Sequence, residues 1–160
     1  MLTYERLREV LHYDPETGVF TRLVRTSNRI KVGDVAGCSA GDGYVQIRVD
    51  GVRYLAHRLA FLWMTGEWPR DMIDHINGVR DDNRFANLRP ATRAENMQNQ
   101  RRAMSNSQTG LLGVTRDRKR FRATIIVDGR QINIGTFDTP DQAHEAYIAA
   151  KRRLHPGNTL

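Results

Sequence analysis

Apolar residues recur over the first eleven positions as Tyr4, Leu7, Val10 and Leu11, a helical spacing. The stretch "DPETG" from Asp14 to Gly18 is turn chemistry. After it, "VFTRLV" predicts a short strand and "GYVQIRVDGVRYL" predicts a hairpin. Val45, Ile47 and Val49 alternate there with Gln46, Arg48 and Asp50, and Asp50-Gly51 reads as the tight turn. "AHRLAFLWMTG" is apolar nearly all round, which predicts a short buried helix ending at Gly66, and "EWPRD" then breaks the chain. Thr92 with Glu95 forms a capping-box pattern, so "ATRAENMQNQRRAM" predicts a helix from Thr92.

"SNSQTG", residues 105–110, is polar and turn-rich and predicts a linker. The pattern then changes. "GVTRDRKRFRATIIVDGRQINIGTFDT" predicts three short strands, with Phe121, Ala123, Ile125 and Val127 alternating with Arg122, Thr124 and Ile126. Thr139 as N-cap, Pro140 at the first helical position and Gln142 closing a capping box predict a final helix. Its Ala143, Ala146, Tyr147, Ala150 and Leu154 make one face.

Composition narrows the classes. No apolar run approaches the roughly 18 residues of a membrane span, and "MLTYERLREVL" is too charged for a secretory signal. The single cysteine, Cys38, excludes an internal disulfide framework and a zinc site built on several thiolates. The expectation is an intracellular, cytoplasmic protein. The 160 residues carry a net charge of +7, and only Lys31, Lys119 and Lys151 among the basic residues are lysine. An arginine-dominated excess of this kind points to a polyanion partner, because the guanidinium fork suits phosphate oxygens.

The stretch "IDHINGVRDDNRFANLRPATRAENMQN" gathers a carboxylate, an imidazole and several amides. Phosphodiester hydrolysis needs an activated water and a cation for the charge that develops on phosphoryl oxygens. Histidine can take the proton from water, and a hard cation such as Mg²⁺ accepts carboxylate and amide oxygens. Adjacent strand residues point to opposite faces, so Asp74 and His75 need a bend, or a phosphate reaching round, to serve one site.

With "AHRLAFLW" before it, this stretch resembles the HNH nuclease motif, most closely that of phage and mobile-element endonucleases. The resemblance covers about Leu55 to Asn99 and implies a ββα-metal (His-Me finger) fold. It implies His75 as general base, Asn87 as the residue orienting it, and Asp74 and Asn96 as ligands to Mg²⁺ or Mn²⁺, with no structural zinc. Arg58, Arg84, Arg89 and Arg93 are candidate phosphate contacts. His57 reads as a packed structural histidine, Asn83 as a loop residue satisfying backbone groups, and Asp81 and Asp82 as a solvated loop.

"GLLGVTRDRKRFRATIIVDGRQINIGTFDTPDQAHEAYIAAKRRL" resembles the Apetala-type (ethylene-response-factor-like) DNA-binding domain. Thr115, Thr124, Ile126, Gln131 and Asn133 replace the base-reading positions of that family, and only Tyr147 is retained. Arg116, Arg118, Lys119, Arg120, Arg122 and Arg130 are the basic side chains offered instead.

The expectation is therefore α+β: a ββα-metal nuclease domain with an N-terminal β-rich extension (1–104), a linker (105–110), and a small three-stranded antiparallel sheet packed on one helix (111–160). The function implied is metal-dependent cleavage of double-stranded DNA by a monomer, as a site-preferring nickase or homing-type endonuclease, phage-encoded in a bacterial host. The alternatives are a non-catalytic DNA-binding regulator and an accessory nuclease for phage DNA packaging.

Overall fold

The computed structural model describes residues 1–104 and 106–159; Ser105, the first residue of the expected linker, and Leu160 lie outside the described residues. The chain forms two compact units, Met1–Thr92 and Arg93–Leu160. No described helix is long and apolar enough to cross a membrane.

The first unit opens with α1 (Tyr4–Val10), capped by the Thr3 hydroxyl, which accepts from the Arg6 amide. Strands β1 (Leu11–Asp14) and β2 (Val19–Arg22) pair across the "DPETG" turn. There the Asp14 carboxylate accepts from the Glu16 amide and the Thr17 hydroxyl. Strands β3 (Cys38–Ser39), β4 (Val45–Val49) and β5 (Val52–Leu55) form an antiparallel sheet. Asp50 and Gly51 both adopt positive φ, 47° and 83°, as a two-residue hairpin turn requires. Helix α2 (Ala56–Thr65) ends at Gly66 in the left-handed conformation and buries Leu59, Ala60 and Leu62. These pack with Leu7, Leu11, Tyr13, Phe20 and Ile47 into one core. The hairpin of β6 (Met72–His75) and β7 (Leu88–Ala91) adds Ile73 and Leu88 to it.

The second unit begins with α3 (Arg93–Gln98). The sequence predicts a helix running on to Met104, but α3 ends after six residues. Polar contacts with the C-terminal tail and α4 compete with helical geometry for the residues after Gln98. The Gln98 side-chain oxygen accepts from the Gly157 amide at 3.0 Å, and the Gln100 carbonyl accepts from the buried Lys151 ammonium. Burial lowers the Lys151 pKa to about 8, with Arg101 adding to the effect. These ties join 95–101 to the tail, so the division between units falls earlier than the 105–110 stretch.

Strands β8 (Val114–Asp117), β9 (Arg120–Val127) and β10 (Arg130–Phe137) form an antiparallel meander, followed by α4 (Pro140–Leu154), whose N-cap Thr139 hydroxyl accepts from the Gln142 amide. Ala123 and Ile125 of β9 pack with Ala143, Tyr147 and Ala150 of α4, while Arg122 and Ile126 are exposed on the other face, as alternation dictates. Tyr147 is 6% exposed. Its ring covers Gly113, where an added Cβ would lie 2.0 Å from the ring. Gly113 also sits at φ +76°, so Gly113→Ala should destabilise the second unit by about 2–4 kcal/mol. Urea unfolding followed by a probe in that unit checks this.

Candidate functional site

The β6–β7 register sets Asp74 opposite Arg89 and His75 opposite Leu88. Asp74 and His75 are both buried, at 5% and 4% exposure. A buried carboxylate needs a partner, and Arg89 supplies it: Nε and Nη2 both donate to Oδ2, at 3.0 and 2.8 Å. Arg89, a candidate phosphate contact by sequence, thus holds the aspartate. His75 engages different neighbours, the rings of His57 at 5.1 Å and Tyr44 at 5.8 Å. Strand alternation directs the two adjacent side chains to opposite faces of the pair.

The loop from Ile76 to Asn87 is closed by polar side chains. Asn87 Oδ1 accepts from the Asn77 amide at 2.9 Å, and its Nδ2 donates to the Asp82 carbonyl at 2.8 Å. These contacts brace the loop backbone. The side chain at the His75 ring is Asn83. Asn83 Nδ2 donates to the Asp81 carbonyl at 3.0 Å, which turns Oδ1 toward His75 Nε2, 3.4 Å away. Its own carbonyl accepts from the Tyr13 hydroxyl at 2.7 Å. Gly18, at φ +72°, presses on the same peptide, where a Cβ would come within 2.5 Å of the Asn83 carbonyl carbon. Sequence reading placed Asn83 in the loop but missed this contact, because its orientation comes from Tyr13 and Gly18, far away in sequence.

Asp82 belongs to the same latch and is not a solvated loop residue. It accepts from Asn77 Nδ2 at 2.6 Å and from Arg84 Nε and Nη2 at 2.8 and 2.6 Å, and Arg84 with Asn77 holds its acid down to about 2. Arg84 is thereby committed to an ion pair. Arg58 donates to the carbonyls of Pro69 and Asp71, clamping the turn before β6. Arg93 is exposed and Asn96 half-buried, both on α3 of the second unit.

In the second unit Arg120 pairs with Asp138, and Arg122 with Asp117. Arg116 donates to the Arg118 carbonyl. Arg116, Arg118 and Arg130 are exposed. Tyr147 lies in the core, so the structure gives it packing and not a surface contact.

Among the described residues no three His, Cys, Asp or Glu gather into a metal-binding group. A hard cation that keeps most of its waters needs fewer protein oxygens. Asp74, held by Arg89 through Oδ2, is a carboxylate of the kind such an ion takes.

Residues 54–98 match the family model described as HNH endonuclease. The match covers well under half of the chain, and no curated protein or solved structure matches it. It supports an HNH endonuclease, hence a nuclease whose substrate is DNA.

Burial lowers the pKa of His75, partly opposed by Asn83 and Asp74. His57, with Nδ1 buried and without a partner among the described residues, is pushed from 6.5 to about 3, by burial first and then by His75 and Arg58. The folded state therefore keeps a neutral His57 down to about pH 3, while the unfolded chain takes up a proton from about 6.5. Stability from this site is complete above that value and declines as pH falls through the window, at up to about 1.4 kcal/mol per pH unit. His57→Phe should flatten the decline between about pH 6 and 4. Urea midpoints for both proteins across that range check it; equal slopes would locate the acid sensitivity elsewhere.

Proposed function

We propose that this chain is a divalent-metal-dependent DNA endonuclease in which His75 is the general base. The observation that carries this is the setting of His75: buried, held neutral, beside Asp74, with Nε2 facing an amide oxygen. Asn83 Oδ1 can only accept, so the ring proton sits on Nε2. Nδ1 is then the ring nitrogen that would take the proton from the attacking water. Asn83 is the positioning residue at the ring, and Asn87 acts one step back by fixing the loop that presents Asn83.

Mg²⁺ or Mn²⁺ on the Asp74 carboxylate would stabilise charge developing on the phosphoryl oxygens. Arg89 aims that carboxylate by holding Oδ2. The assignment of Asn96 as a further oxygen ligand rests on the motif alone. One base per chain cuts one strand, so a monomer nicks, which accords with a site-preferring or homing-type enzyme. Exposed Arg116, Arg118 and Arg130 support a DNA-holding role for the second unit, where two tethered weak contacts reinforce each other.

With Mg²⁺ or Mn²⁺ the protein should nick supercoiled plasmid. His75→Ala should lower the rate by about 10²–10⁴-fold while duplex binding persists. Equal nicking by wild type and His75→Ala would remove the assignment. Asn83→Leu should reduce kcat about tenfold at unchanged KM, because it loosens the ring without touching DNA. A change in KM alone would place Asn83 in substrate binding.

A further inference from the structure

The antiparallel pair β4–β5 sets Arg48 directly opposite Arg53. Like charges facing each other across a strand pair repel. Both residues are exposed, and their own sheet offers no carboxylate to relieve them. Arg48 donates to the Gly51 carbonyl, and among the described residues no side-chain bond is formed by Arg53. The turn between them does carry Asp50, but Arg6 takes both of its oxygens at 2.9 and 3.0 Å. A third guanidinium adds to the field, because the buried Arg22 donates to the Arg48 carbonyl.

The pair also has an address. Alternation along β4 puts Arg48 and Gln46 on one face and buried Ile47 and Val49 on the other. Carried back past the start of the strand, the same parity reaches Tyr44, whose ring faces both His57 and His75. Arg80 lies over that ring at 4.9 Å and donates to the Asp42 carbonyl. One polar track thus runs from His75 through Tyr44 and Gln46 to the two arginines. Four residues of strand separate Tyr44 from Arg48, roughly 13 Å.

We infer that Arg48 and Arg53 form a phosphate clamp that holds the backbone of the DNA being cut, roughly four to six nucleotides from the reacting phosphate. A phosphate between two guanidiniums cancels their repulsion and takes bidentate bonds from both. The strand stretch of roughly 13 Å begins at Tyr44, whose ring lies 5.8 Å from that of His75, and at about 3.4 Å of axis per nucleotide on one strand the two lengths bracket that offset. This inference rests on the nuclease reading and adds the contact that sets the register of the substrate. It also explains how the unit grips DNA when Arg58, Arg84 and Arg89 are committed to internal bonds.

The test is a salt titration of duplex binding with the full chain, in a His75→Ala background so that DNA survives. Arg48→Ala/Arg53→Ala should weaken binding about tenfold at 0.1 M salt and shrink the slope of log affinity against log salt by about two. Its Tm should be unchanged or higher, since the repelling pair is gone. Arg48→Lys/Arg53→Lys should keep most of the slope, which guards against a folding artefact. Arg29→Ala/Lys31→Ala, removing the same charge from another exposed segment, should change the slope less. An unchanged slope in the Ala pair, or an equal change in the control pair, overturns the clamp. If the parent protein binds no duplex, the nuclease reading itself fails; if it binds and wild type nicks while the Ala pair behaves like its parent, only the clamp fails.

Discussion

The site depends on one constraint: a polar loop folded into a small apolar unit must satisfy every group it buries. Between His75 and Asn87 the chain places an imidazole, three amides and a carboxylate in or near the interior. Each unpaired one would cost about 1–3 kcal/mol. The solution is a closed set of bonds in which Asn87 spans the loop, Asp82 gathers Asn77 and Arg84, and Asn83 turns its oxygen to the histidine. A loop held so completely has few alternative shapes. The imidazole is therefore delivered in one orientation.

Much of this was legible in the residues because it is local. Alternation located β4 and β9, the Asp50-Gly51 pair located a hairpin turn, and a Thr–Pro–x–Gln start located α4. His75, Asp74 and Asn87 could be singled out because the stretch that carries them resembles the HNH motif. What could not be read was pairing at long range. Arg58 and Arg84 look like free cations in a string of letters, and only the folded chain shows the carbonyls and carboxylate that take them. Helix α3 is short for the same reason, because its competitor is the tail near Gly157.

The charge excess also takes on a different meaning once the partners are known. A net charge of +7 suggests a uniformly basic surface. In the first unit, however, Arg22, Arg58, Arg84 and Arg89 act as internal fasteners for backbone carbonyls and acids. Guanidinium suits this role because it presents five donors in a fixed plane and is easier to desolvate than an ammonium. Arginine count thus overstates the surface available to a polyanion, and cations lacking acidic partners carry more information than the total.

The stretch that matches the family begins at Tyr54, yet the groups that hold its histidine in place begin much earlier in the chain. Tyr13 bonds the Asn83 carbonyl, Gly18 packs on the same peptide, and the Tyr44 ring lies tilted beside both histidines. None of the three lies in the matched stretch. With only Tyr54–Gln98 present, the Asn83 carbonyl would lose its donor and His75 would lose one wall. Desolvation lowers the His75 pKa, so an opened wall would let the ring protonate more readily. Residues from the N-terminal strands and their turns therefore help enclose the imidazole that the motif supplies.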